Sequence, residues 1–369
     1  MLESNRAGRI FVAMKSIGDR GVIFWLFSGC LMVAIMVVVG GITRLTHCGL
    51  SMVQWSLFME TIPPLTTADW METFQLYKQT PEFKLKNYDF TLSEFKSIFW
   101  WEYVHRMIGR FIGLFFLLPF IYFIIQKRLS KKLVQKLLIA CLLGALQAAM
   151  GWYMVKSGLV NDPNVSHYRL AAHLIIAFVL YAYLLWIFLG EVYPQKSSNT
   201  TTSLFGIQIL ILFTILQIVY GAFVSGLKAG LVYNTFPKMG TEWIAESVLY
   251  AFEINGIISL FENLASVQLI HRYLGIIVLV LVVYRFVVSR HRKQNKGQNK
   301  SLYFMIGIVS IQVFLGIFTL IYAVPIALGV IHQFGALMLF TSQILYYFYS
   351  STQIEQWDNI NKEVSSYTT

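Results

Sequence analysis

Phe99-Trp100-Trp101-Glu102-Tyr103-Val104-His105-Arg106-Met107-Ile108-Gly109-Arg110 leads into a strongly apolar segment. From Met107 to Ile125 that segment is long enough to cross a bilayer as a helix. The stretch sets a carboxylate, an imidazole and two guanidiniums at the membrane doorway. Ionisable groups at that depth are costly and are kept for a task. A related element, His271-Arg272-Tyr273-Leu274-Gly275, stands 271 − 105 = 166 residues further on.

The surrounding chain is built for a membrane. Of its 369 residues, 57% are hydrophobic and 13% charged, where a soluble domain carries about 25% charged residues. The net charge of +11 sits in short loops between apolar runs. That placement orients a protein among membrane lipids rather than binding nucleic acid. Cys30, Cys48 and Cys141 are too few for a disulfide framework. No cleavable leader stands out in the basic head Arg6 to Arg20.

Eight apolar runs follow: Gly21–Thr43, His105–Ile125, Lys136–Val155, Tyr168–Leu189, Leu204–Gly226, Gln268–Ser289, Leu302–Tyr322 and Pro325–Tyr349. Most hold about 20 residues, a spanning length. Ala323-Val324 alone separates the last two, which must therefore be antiparallel neighbours. Lys and Arg crowd the loops that begin at Lys127 and Arg290, whereas the segment Arg44 to Val104 is rich in acid. The positive-inside rule puts both termini in the cytoplasm. Within the long outer loop, Thr66-Thr67-Ala68-Asp69 reads as a cap and Thr91-Leu92-Ser93-Glu94 as a capping box. A helix from Leu92 places Phe95, Ile98 and Phe99 on one side.

His105-Arg106 pairs with His271-Arg272, Gln147 and Gly151 with Gln312 and Gly316, His173 with His332, and Gly41 with Gly221. Shared order over four spans implies two four-helix halves. Four is even, so both halves enter from the same side as parallel repeats. The expected fold is an all-α integral membrane protein of eight transmembrane helices in two parallel-repeat four-helix bundles. Residues 1–20 form an inner tail, 21–190 the first bundle with its outer loop 44–104, 191–203 an inner linker, 204–349 the second bundle and 350–369 a second tail.

His105, His173, His271 and His332 then fall within about two helical turns of the outer ends of the even spans. Two imidazoles on facing helices can clamp a planar metal macrocycle such as haem. His47, His167 and His291 read as solvated loop residues. Glu102 lies at i−3 from His105, on the same helical face. It either relays a proton beside the iron or pairs with Arg106 at i+4. Arg106, Arg110, Arg169 and Arg272 suit haem propionates or lipid head groups.

Longer strings carry a resemblance. They are Gly40-Gly41-Ile42-Thr43-Arg44-Leu45-Thr46, Gly49-Leu50-Ser51-Met52, Ile62-Pro63-Pro64-Leu65, Tyr77-Lys78-Gln79-Thr80-Pro81-Glu82-Phe83 and Phe99 to Arg110. They continue with Gly151-Trp152-Tyr153-Met154-Val155-Lys156-Ser157-Gly158-Leu159, Tyr168-Arg169-Leu170-Ala171-Ala172-His173 and Tyr233-Asn234-Thr235-Phe236-Pro237. With these the chain resembles the haem A synthases of mitochondria and many Gram-negative bacteria. The resemblance implies oxidation of a methyl group of haem O, the substrate, to the formyl group of haem A for haem–copper oxidases. It implies Glu102 as catalytic carboxylate, His105 and His173 on the substrate iron, and His271 and His332 on a haem b. His47-Cys48 and Ile270 depart from the family pattern, and the loop cysteine pair of the other family type is missing.

The residues by themselves also fit a b-type electron-transfer cytochrome or a haem carrier. Expected partners are haem O synthase, an electron donor, oxidase assembly factors, membrane lipids and a second copy of the chain as a homo-oligomer. The expected location is a bacterial inner membrane, ahead of a mitochondrial one.

Overall fold

The computed structural model describes residues 19–46, 48–53, 62–158, 164–193, 204–292 and 294–351. Among them the regular elements are helices, apart from an isolated bridge between Met239 and Glu242. Eight helices are long and apolar enough to span a membrane. They are α1 (Arg20–Leu45), α2 (Leu92–Ile125), α3 (Lys131–Gly158), α4 (His167–Val192), α5 (Phe205–Leu227), α6 (Leu264–Arg290), α7 (Lys296–Ile321) and α8 (Ile326–Ser351). Their outward faces carry large apolar side chains such as Phe24, Leu142 and Phe205, at 68–70% exposure. Only lipid makes such a surface favourable. The chain is a multi-pass membrane protein, with each expected run realised as one helix.

Side chains fix the helix ends as the local sequence requires. Asp19 Oδ1 accepts the Gly21 and Val22 amides at the start of α1, while its carboxylate also holds Arg128 from the α2–α3 turn. The capping boxes Thr66/Asp69 and Thr91/Glu94 both form. The link between α7 and α8 turns on Ala323 and Val324, both left-handed at φ 56° and 59°. A β-branched residue there costs about 1–3 kcal/mol. Val324 is held by its amide bond to Thr319 O at 2.7 Å and by packing over Gly230.

Packing repeats between the two sets of four helices. α1 lies against α2 and α4, and α3 against α2 and α4. In the same manner α5 lies against α6 and α8, and α7 against α6 and α8. The sets meet where α4 packs on α5, α1 on α8, and α4 on α8. Exchanging the sets leaves this pattern unchanged. The central seam holds Val33, Val37, Phe178, Leu184, Leu337 and Phe340, with Tyr181 hydroxyl bonded to Thr341 Oγ1 at 2.9 Å.

α2 has 34 residues, about 51 Å of helix at 1.5 Å per residue, against about 30 Å of hydrocarbon. Its first turns therefore stand clear of the membrane and support a folded cap. Helices Thr67–Lys78 and Pro81–Leu85 bring Trp70, Phe74 and Tyr77 onto Phe95, Ile98 and Phe99. The Phe95 ring stacks on Phe74 and Tyr77 at 5.1 and 5.0 Å. Phe95, Ile98 and Phe99 share one side as expected, and that side is the core of the cap.

Candidate functional site

The four histidines lie on the even helices, each facing a glycine of an odd one. A Cβ built on Gly151 of α3 would stand 3.0 Å from His173 Cε1, on Gly221 of α5 3.1 Å from His271 Cε1, and on Gly316 of α7 2.9 Å from His332 Cε1. Any side chain there would push the imidazole aside. At His105 the facing residue is Gly40, whose Cβ would lie 3.8 Å from Nε2. Gly41, which matched Gly221 by sequence order, faces the Gln333 amide instead.

The His271 and His332 rings face one another with centroids 6.4 Å apart and planes at 83°. A metal–imidazole nitrogen bond of about 2.0–2.1 Å, plus about 1.1 Å from nitrogen to ring centre, gives roughly 6.3 Å between two rings on one metal. That separation leaves His271 and His332 as residues that would be able to hold one haem between them. Among the described residues no three His, Cys, Asp or Glu converge on one point. A bare ion would lack ligands, whereas a porphyrin brings its own four. The Nδ1 atoms of His173, His271 and His332 are sealed from solvent. The donor set fits haem.

Next to each leading histidine an outer loop is pinned to the helix. Glu102 is 2% exposed. Its Oε2 accepts from Ser51 N (2.7 Å), Ser51 Oγ (2.7 Å) and Met52 N (3.0 Å), and its Oε1 from Arg106 Nη2 (2.6 Å). Arg106 also donates to Met52 O. In the second set Gln268 takes the same place, since 268 − 102 = 166, the offset of the histidines. Gln268 Nε2 donates to Ala229 O at 2.8 Å and to Val232 O, and its Oε1 accepts from Arg272 at 2.8 Å. Arg272 holds the carbonyls of Tyr233, Thr235 and Lys238. The i−3 residue is a loop pin in both sets, and only the first is a carboxylate.

Both readings of Glu102 thus meet in one residue: it borders His105 and it pairs with Arg106. Arg110 Nη1 lies 3.3 Å from Met107 Sδ, and Arg169 sits over the Tyr153 ring at 4.1 Å. Of the remaining histidines, His291 is exposed, as expected, and His47 lies outside the described residues. His167 corrects the sequence reading. It is 7% exposed, because the C-terminal end of α5 covers it with Phe223 and with Gly226, where a Cβ would fall 2.4 Å from His167 Cβ.

Cys48 is buried in the cap. Burial pushes its thiol up to about 11, with Glu102 and Glu82 adding to the effect. Glu82, 5% exposed, accepts from the Tyr77 hydroxyl at 3.2 Å. Burial, then the nearby Glu102 charge, raises its carboxyl to about 7.

The sequence profile of the cytochrome oxidase assembly proteins, COX15-CtaA, matches residues 23–344 of this chain. The chain belongs to the COX15-CtaA family. Within it the chain is 43% identical to the heme A synthase of Flavobacterium johnsoniae over 328 residues, 88% of this chain and 96% of that one. It is 45% identical to the heme A synthase of Flavobacterium psychrophilum over 324 residues, covering 87% and 95% of the two chains. With that of Nitrosospira multiformis it shares 42% identity over 330 residues, 88% and 92% of the two chains. Ser51 and Gln268, which the linear chain did not single out, hold Glu102 and Arg272 beside the leading histidines. The 166-residue offset was signal enough for Gln268, whereas Ser51 reaches Glu102 only through the fold.

Proposed function

We propose that this chain is a haem A synthase, a membrane oxidoreductase that converts a ring methyl of haem O to the formyl group of haem A for haem–copper oxidase assembly. One observation carries the reading. His105 and His173 on one helix set correspond to His271 and His332 on the other, the latter rings lie 6.4 Å apart, and a buried carboxylate, Glu102, lies three residues before His105 where Gln268 precedes His271.

On this reading residues 21–190 form the substrate half and 204–349 the haem b half, joined by the linker 191–203. His271 and His332 would hold haem b, which as a bis-imidazole haem supplies single electrons. His105 and His173 take the iron of haem O. That substrate is a planar, apolar macrocycle, and the spans around it exclude water. Glu102 sets the Ser51–Met52 strap over His105 and offers the nearest carboxylate for moving a proton or opposing positive charge on the oxidised carbon. Arg106, Arg110, Arg169 and Arg272 are the candidate guanidiniums for propionates at the outer ends. Arg106 and Arg272 would act together with the loops they hold.

The basic loops favour cytoplasmic termini in a bacterial inner membrane. Haem O synthase, an electron donor, oxidase assembly factors and a second copy of the chain are the partners this role implies.

Extraction of haems from cells that make haem O and this protein, followed by chromatography, tests the assignment. Haem A should accumulate, and Glu102→Ala should stall conversion while the spectrum of the His271/His332 haem persists. Unaltered haem O in the presence of wild-type protein and a competent reductant overturns it. That result is also what an electron-transfer cytochrome or a haem carrier would give.

A further inference from the structure

Glu102 and Gln268 occupy one place in the two helix sets, three residues before the leading histidine and four before an arginine. Both are 2% exposed. Both accept from that arginine, at 2.6 Å in the first set and 2.8 Å in the second. The loops they hold have opposite polarity. The first presents donors, Ser51 N, Ser51 Oγ and Met52 N, to Glu102 Oε2. The second presents the carbonyl oxygens of Ala229 and Val232 to Gln268 Nε2. Donors stabilise a carboxylate, whereas carbonyls, which only accept, repel one. Each loop therefore suits the residue it meets, the first a charged oxygen and the second an amide N–H.

The arginine that follows each histidine stays charged, since a guanidinium is not deprotonated in proteins. In the first set Glu102 balances it as an ion pair at 2.6 Å. In the second, Gln268 meets Arg272 with a neutral oxygen, and backbone carbonyls of Tyr233, Thr235 and Lys238 take its other N–H groups. Among the described residues no carboxylate ion-pairs with Arg272. The two places thus differ by one full negative charge, set one helical turn from the leading histidine on the same face. A buried charge acts at that range with little screening.

We infer that Gln268 is a positioning residue that holds Arg272 without neutralising it, so that a haem on His271 and His332 is easier to reduce than one beside a carboxylate, and that Glu102 acts in the opposite sense in the substrate half. The inference rests on the haem reading above. Positive charge beside a haem favours the ferrous form, which carries one more electron, and a carboxylate favours the ferric form. The resident haem then retains its electron more firmly. The half that holds Glu102 instead tolerates the positive charge that oxidation of a carbon develops. Loop polarity preserves the difference, because neither loop can take the other's residue without losing hydrogen bonds.

Redox titration of purified protein that carries haem b alone, followed by absorbance, tests this without turnover. Gln268→Glu is compared with wild type at pH 9, where a carboxyl that faces two carbonyls is ionised. It should make haem b about tenfold harder to reduce, a fall of about 59 mV for one electron. Gln268→Met breaks the same loop bonds without adding charge and should move the potential far less. In protein that also carries haem O, Glu102→Gln should make the substrate haem about tenfold easier to reduce and leave haem b unmoved. Opposite shifts at two haems are not what general loosening of the bundle produces. Equal shifts in Gln268→Glu and Gln268→Met, or an unmoved substrate haem in Glu102→Gln, overturn the inference; if one variant fails to hold its haem, the other decides. A His271→Ala protein that keeps the haem b spectrum instead refutes the underlying reading.

Discussion

Replacing Glu102 by alanine removes the acceptor of four hydrogen bonds at once. Three come from the strap, from Ser51 N, Ser51 Oγ and Met52 N, and one from Arg106. Bonds to a charged partner contribute about 1.5–3 kcal/mol each in isolation, and they do not add in full within one network. Breaking a buried pair by deleting one member costs about 3–5 kcal/mol. Arg106 keeps its bond to Met52 O. A local loss of about 4 kcal/mol follows, or roughly a thousandfold easier opening of the strap. Hydrogen exchange at the Ser51 and Met52 amides, read by mass spectrometry on peptides that cover 48–53, reports it directly. Glu102→Gln, which keeps an acceptor of the same shape, should fall between alanine and wild type. If the strap amides exchange at the wild-type rate in Glu102→Ala, the pin holds nothing and the loop is set by the aromatic cap alone.

The glycines that face the histidines give a graded set. Gly316→Ala, with Cε1 of His332 at 2.9 Å, should strip haem b from purified protein, whereas Gly40→Ala, with 3.8 Å of room at His105, should leave the substrate half able to hold haem O; haem b kept in the first with haem O lost in the second refutes the close-approach account. Glu82 predicts a pH dependence. Its folded carboxyl titrates at about 7 against 4.5 ordinarily, so between those values the folded chain holds a proton that the unfolded chain releases. Stability therefore falls as pH rises from about 4.5 to about 7, by about 3 kcal/mol in full. The groups that face it are Glu102, Tyr77 and Lys86. Melting of wild-type protein in detergent should drop between pH 5 and 8, and Glu82→Gln should flatten the drop. Parallel slopes for the two proteins would remove Glu82 as the cause.

The spans were legible because lipid imposes length and apolar content on each helix separately, so Gly21–Thr43 or Leu302–Tyr322 could be drawn without any neighbour. The Thr66 and Thr91 caps were legible for the same reason, being local in the chain. The four histidines stood out through their shared order. What stayed hidden depends on partners distant in sequence. His167 looked like a loop residue until α5 closed over it with Phe223 and Gly226. Trp70 and Phe95 belong to one core that two separate helices build. The carbonyls that the folded loop sets against the Arg272 guanidinium could not be read in the linear chain, where that residue suits a propionate or a lipid head group.

Single histidine-to-alanine variants, each purified with bound haem and scored by low-temperature absorbance and electron paramagnetic resonance, test the assignment of the two pairs most directly. His271→Ala and His332→Ala should lose the resident haem b signal, whereas His105→Ala and His173→Ala should retain it and lose only the capacity to hold haem O. Loss of haem b from the His105 or His173 variant, with its persistence in the other two, would contradict the account.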